Sequence, residues 1–423
     1  MQKSLIFLLV FLTSFSAWAT LPVSYKELIK YVQKNYADKN TEYPIHIVDR
    51  DEVEWLFAQK LAFGKENSQK RIDIIKEYIM SKTGVEIDDN DASNLDTFMH
   101  DIRNSAVALP LLESGGWGKK DYKMCVVMPA SINTNQNLET YRLLSLEVEE
   151  TYGDAKLHNI KNKLTLEQYL QMSLFHELSH CLDKKYMPAT YNGEEDTHAV
   201  HMSESFAETM ALLMLNEEGV QNLTQTRSKI RALYSRKVGH FMASNPQNGL
   251  GNPFYTSSGA IYFLSQSIDA VGTLLGEGQK AIGDLQILAE KIVEETAIES
   301  RSFTAIVAAL GSVEEALKRY EKYANDWPDM FAKTLADLKD YLSYTDKIVL
   351  DAFDMDKEEN EVIGELSKLE KEKFCKLFEN NDQTGFMVLL ETKRSELHQG
   401  LDSLENQKSR AQELYDIFAN ACN

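Results

Sequence analysis

The chain has no Cys-x-x-Cys pair, no internal repeat and no low-complexity tract, and beyond its first residues no run is long and apolar enough to span a membrane. The missing Cys-x-x-Cys argues against a thiol redox motif and against a cysteine-based zinc site. Four cysteines in 423 residues are too few for a disulfide scaffold. Positive charge is also short, with 45 Lys+Arg against 65 Asp+Glu and a formal charge of −20. Such an acidic surface repels phosphate backbones, so nucleic acid is not an expected partner; its plain consequence is solubility. What the chain does have, at 43% hydrophobic and 26% charged residues, is the composition of a globular protein of two or three domains with a substantial core.

The first nineteen residues read as an export signal. Lys3 gives a positive start, Leu5 to Ser16 is apolar but short, and Ala17-Trp18-Ala19 sets a cleavage point before Thr20. An uncleaved membrane anchor is the competing reading, and the small-residue ending favours cleavage. No cysteine follows that point, so a lipid anchor has no attachment site. The expected product is soluble, periplasmic or secreted, with no integral membrane segment after cleavage.

Residues 20–110 read as a mostly helical N-terminal region. Tyr25 to Tyr36, Val53 to Phe63 and Ser68 to Met80 carry apolar residues at helical spacing. Pro44 to Val48 reads as a strand followed by Asp49 and Asp51, either able to cap the next helix. Asp88 to Asp96 has the composition of a calcium loop without its glycine or closing glutamate, and reads as a solvated loop. The glycines at 115, 116 and 118 break this texture. Lys123 to Met128 then reads as a short buried strand and Leu143 to Val148 as another. Leu164 to Leu182 and Ala199 to Leu215 are two strong helices, and further helices fill about 223 to 345. Residues 346–423 read as a small helical packing bundle, with a partner-binding coiled coil as the sharper alternative.

The chemistry concentrates in Phe175-His176-Glu177-Leu178-Ser179-His180. Two histidines four apart on a helix lie on one face, where both imidazoles reach one metal ion. Glu177 projects about 100° round from His176, placed to contact a metal-bound water without ligating the ion. Leu170, Met172, Leu174 and Phe175 make this a buried helix, in which two histidines and a glutamate are unfavourable without a partner. A catalytic zinc needs a third protein ligand and one open position. On the next helix His201, Glu204 and Glu208 share a face, and each is open as that ligand. Of the two carboxylates, one would bind metal and the other hold a ligand histidine.

This pattern resembles the gluzincin zinc metallopeptidases. His176 to Asp183 with Glu204-Ser205-Phe206-Ala207-Glu208 is most similar to the anthrax-lethal-factor-like catalytic domain. The resemblance covers about 35 residues strictly and some 200 loosely. It implies an α+β, predominantly helical fold: a zincin-like catalytic domain (111–345) with a small edge sheet, flanked by the helical N-terminal region and the C-terminal helical bundle. It implies one catalytic Zn²⁺ on His176, His180 and Glu204, with Glu177 as general base and Glu208 supportive; Glu208 and His201 remain the alternative ligands. Asp183 either orients a ligand histidine or is a surface acid at a helix end. Tyr191, in the loop before the ligand helix, is one candidate oxyanion donor. Tyr255 is a second, because Tyr255 to Ala260 is similar to the later segment where thermolysin-like enzymes place a histidine donor. His158, His198 and His240 read as ordinary histidines. The strand at Met124 to Met128 is expected to be the edge lining the cleft, to which an extended peptide or protein substrate adds by backbone hydrogen bonds. The implied activity is zinc metalloendopeptidase, a hydrolase. Its rivals are a zinc-binding scaffold of the same fold without turnover and a helical interaction protein whose motif is accidental.

A helix break at Gly400, followed by Asp402 and Glu405 as a capping box, lets a third C-terminal helix run back beside the first and brings Cys422 to the level of Cys375. Non-reducing peptide mapping is expected to find these two linked, with a stabilisation of about 2–4 kcal/mol. A free Cys375, or one joined elsewhere, removes the three-helix arrangement.

Overall fold

Among the described residues, helix predominates and strand forms in three short stretches. The computed structural model describes residues 21–22, 24–61, 68–101, 106–114, 120–130, 164–187, 196–220, 222–239, 253–276 and 285–353. The N-terminal part holds helices α1 (Tyr25–Asn35), α2 (Arg50–Lys60), α3 (Ser68–Thr83) and α4 (Asp89–Asp101), with strands β1 (Ile45–Ile47), β2 (Val107–Ser114) and β3 (Lys120–Met128). Then come α5 (Leu166–Leu182), α6 (Thr197–Glu217), α7 (Leu223–Leu233), α8 (Pro253–Ile261) and α9 (Ser265–Gly276). The series closes with α10 (Leu285–Thr296), α11 (Ser300–Gly311), α12 (Val313–Asp326) and α13 (Pro328–Phe353). The fold is α+β and predominantly helical with a small sheet. Among the described residues no helix is long and apolar enough to cross a membrane. The N-terminal nineteen residues, the segment 143–148, and both Cys375 and Cys422 lie outside the described residues.

The sheet order is β1-β3-β2, with β3 parallel to β1 and antiparallel to β2. Side chains alternate across a strand, so β3 serves two cores. Cys125 and Val127 join the helical body beside Phe175 and Leu178 of α5. Met124, Val126 and Met128 join a separate cluster with Phe57 of α2, Ile75 and Ile79 of α3 and Leu95 of α4. All five are fully buried, which is why this stretch is apolar without alternation. The expectation that it forms the cleft edge is therefore corrected: β3 is the interior strand, and β2 is the edge beside α5.

β2 begins inside the stretch that reads as mostly helical, and it contains Pro110. The structure accommodates it at the sheet edge. Ala108 points its N–H away from β3, toward Glu177, and residues two apart in a strand point the same way, so Pro110 lacks its donor on the unpaired side. Residue 110, where the sequence ends the N-terminal region, falls within β2, so strands from both sides of it build one sheet.

The acidic stretch read as a solvated loop is corrected to a helix, α4. Asp88 accepts the backbone N–H of Asp91 at 2.8 Å and starts it. Ala92, Leu95 and Met99 are then buried against α3, while Lys76 and Arg71 of α3 pair with Asp89 and Asp96. The charges that looked loop-like lie on the outer face of an amphipathic helix. Asp49 rather than Asp51 caps α2, accepting the N–H of Glu52.

Cys125 of β3 and Cys181 in the last turn of α5 form a disulfide, with Cα atoms 5.5 Å apart. It joins the central strand to the helix that carries the histidines, across 56 residues of sequence. The loop it closes predicts a contribution of about 4 kcal/mol. The Cys125→Ala/Cys181→Ala double variant should therefore lose roughly 2–4 kcal/mol in denaturant unfolding; an unchanged midpoint and slope would show the bond to be energetically idle.

Candidate metal centre

α5 is started by a capping box, in which Thr165 and Gln168 each satisfy the other's backbone N–H. Its apolar residues pack into the helical core and leave His176 and His180 one turn apart, their ring centroids separated by 4.9 Å. Asp196 caps α6 by accepting the N–H groups of His198 and Ala199. α6 packs along α5 and brings Glu204 between the two imidazoles. Glu204 Oε2 lies 3.2 Å from His176 Nε2, and Oε1 lies 3.5 Å from His180 Nε2.

These three side chains can hold a metal ion, since one ligand atom from each lies within 4.8 Å of the others. The spacing fits. Ligands about 2.0–2.1 Å from a tetrahedral ion stand roughly 3.3–3.4 Å apart, close to the two separations between imidazole and carboxylate. His201 is not available to such an ion. Its Nδ1 donates to Ile261 O at 2.9 Å and its Nε2 accepts from Ile298 N at 3.2 Å, so it is a neutral core histidine, and burial lowers its pKa to about 4.

Glu177, one residue round the helix, is partly buried and points to the sheet. Its Oε2 accepts the N–H of Ala108 in β2 at 2.7 Å. Burial raises its pKa, against the lowering effect of the nearby histidines and of that hydrogen bond.

Each histidine has a polar neighbour at Nδ1. His180 Nδ1 lies 3.3 Å from Ser203 Oγ, which donates to Asp183 Oδ2 at 2.9 Å. Asp183 is fully buried and so is not a surface acid; it accepts the N–H groups of Lys185, Tyr186 and Met187. Burial raises its pKa, offset by those bonds. His176 Nδ1 lies 3.2 Å from Glu208 Oε2, within reach but off the line of a good hydrogen bond. Glu208 in turn meets the guanidinium groups of Arg227 and Arg231 from α7. Burial pushes Glu208 up, but Arg227 and then Arg231 outweigh it and hold the carboxyl well below its usual range.

Ser203, Arg227, Arg231 and the Ala108 N–H were missed by the sequence reading. Arg227 and Arg231, four apart in a helix that also carries the buried Ile230, Ala232 and Leu233, were a legible signal. The Ala108 N–H had none, because a backbone donor carries no side-chain signature. Tyr191, His158 and His240 lie outside the described residues. Tyr255 sits in the first turn of α8. That helix meets the chain six residues past α7 so closely that a Cβ on Gly259 would stand 2.6 Å from Gly239 Cα. His198 Nε2 lies 2.8 Å from Ile298 O, at the seam with α11.

Comparison with known proteins gives no match to any family model, to any curated protein or to any solved structure.

Burial alone would lower the pKa of His176, but Glu204 and Glu208 together raise it to about 10. A metal ion needs the Nε2 lone pair that this proton occupies. Below pH 10 metal uptake should therefore release a proton, and affinity should rise by up to about tenfold per pH unit toward that value. Calorimetry in buffers of different ionisation enthalpy reads the proton directly; uptake at pH 7 with no proton released would contradict the charged state of His176.

Proposed function

We propose that the protein is an exported zinc-dependent metallopeptidase of the gluzincin group, with a zincin-like catalytic domain built around α5 and α6. The observation that carries this reading is Glu177 held beside, but not within, the His176–His180–Glu204 triad. The two histidines and Glu204 would hold Zn²⁺, and the donor set of two imidazoles and one carboxylate with an open position is the one that catalytic zinc takes. Bound there, zinc supplies a water of lowered pKa and a Lewis acid for a carbonyl oxygen. Glu177 takes the proton of the attacking water and delivers it to the leaving amine.

The peptide would lie along β2. This edge strand runs past Glu177, and its unpaired side carries the Ala108 and Pro110 carbonyls as acceptors for substrate N–H groups. Glu208 and Asp183 would fix the ring orientation of the two ligand histidines. The N-terminal leader supports export, and the buried Cys125–Cys181 disulfide fits an oxidising compartment.

Glu177→Gln should lower peptide hydrolysis by roughly 10²–10⁴-fold while zinc content stays near one per chain, whereas His176→Ala should remove both. A combinatorial peptide library read by mass spectrometry supplies the substrate. Cleavage by the Gln variant at the wild-type rate would refute the mechanism. Stoichiometric zinc without cleavage by the wild type would favour the scaffolding role instead.

A further inference from the structure

On its His176 side the centre has an outer layer that the proposed mechanism leaves unassigned. Glu208 is fully buried, and so are its partners Arg227 and Arg231, with side chains only 1% and 3% exposed. Arg227 meets the carboxylate through Nε on Oε1 and Nη2 on Oε2, the latter at 3.1 Å. Arg231 adds two more donors to Oε2, Nε at 3.2 Å and Nη2 at 2.7 Å. The same oxygen faces His176 Nδ1. One arginine is enough to neutralise Glu208 and tie α6 to α7. Here two arginines converge on one carboxylate, so its plane is defined from two directions.

We propose that Arg227 and Arg231 are positioning residues for the metal centre. Their forked guanidinium groups, one turn apart on α7, fix the plane of the Glu208 carboxylate; its Oε2, 3.2 Å from His176 Nδ1, restrains that ring through charge, and the ring aims Nε2 at the ion. This rests on the metal-centre reading above. The two histidines are thus supported differently. His180 is held through Ser203 of α6 by Asp183, an aspartate tied to the backbone just after α5. His176 is held through three successive helices, α5, α6 and α7. The Arg231 guanidinium also lies over the Tyr262 ring, 5.4 Å from its centroid, so the chain of contacts reaches the end of α8. A lysine keeps the charge at either position but has no planar fork, and it cannot fix a carboxylate plane.

The test uses the full-length protein, stripped of metal, with Arg227→Lys and Arg231→Lys. Cooperative melting of the metal-free variants shows that they fold. Zinc affinity is read by chelator competition, and the ligand field by the visible spectrum after Co²⁺ loading. The expected result is a 10–100-fold loss of zinc affinity and an altered cobalt spectrum in a folded variant, with lysine failing to restore either. A folded Arg231→Lys protein with wild-type affinity and an unchanged spectrum overturns the proposal. If neither lysine variant folds, Glu208→Gln, which keeps the shape of the side chain, carries the same expectation, and wild-type affinity there overturns it equally. Failure of the wild type to take up zinc or cobalt would overturn the metal reading along with this one, and so is distinguishable from failure of the variants alone.

Discussion

The structure depends on bringing ionisable groups into the seam between two helices that are otherwise apolar. An unpartnered charge there would cost several kcal/mol, and removing one member of a buried pair about 3–5 kcal/mol. Each charged group in the seam accordingly has a partner: Glu204 the two imidazoles, Glu208 the two guanidinium groups, Asp183 three backbone N–H groups and Ser203. The chain has little freedom to rotate α6 against α5, because a turn of either helix would break several of these pairs together.

The sheet supplies the other constraint. β3 is anchored on both faces, toward α2–α4 on one side and the helical body on the other. From this fixed strand the Cys125–Cys181 bond reaches the end of α5. β2, held in register on β3, presents the Ala108 N–H to Glu177. The position of the carboxylate relative to the triad is thus set by α5 for its Cα and by the sheet for its tip. Both are needed to place the carboxylate, since a helix alone fixes direction but not distance.

The supports of the two histidines differ in kind, and the difference follows from helix position. His180 lies near the C-terminus of α5, where the turn that follows delivers Asp183, with Ser203 of α6 between that aspartate and the ring. His176 lies one turn deeper, beyond the reach of any local loop. Both rings meet a side chain of α6, but the one beside His176 is the charged Glu208, and its charge is balanced from a third helix by Arg227 and Arg231.

The sequence alone determined the helices with clear apolar periodicity, the two histidines and Glu177 on α5, and the choice among Glu204, Glu208 and His201 as neighbours on one face of α6. Spacing along a single helix carries all of this, and it does not depend on what surrounds the helix. Only the tertiary structure decided that Glu204 stands between both Nε2 atoms while Glu208 meets His176 from the Nδ1 side, because that depends on the rotation of α6 against α5. It also decided that His201 belongs to the backbone of other elements, that Asp183 is buried, and that Cys125 meets Cys181. The acidic stretch became α4 through burial of Ala92, Leu95 and Met99 against α3, and Pro110 entered a strand because its unpaired side faces away from β3. Local composition opposed both outcomes, and contacts between residues distant in sequence overrode it.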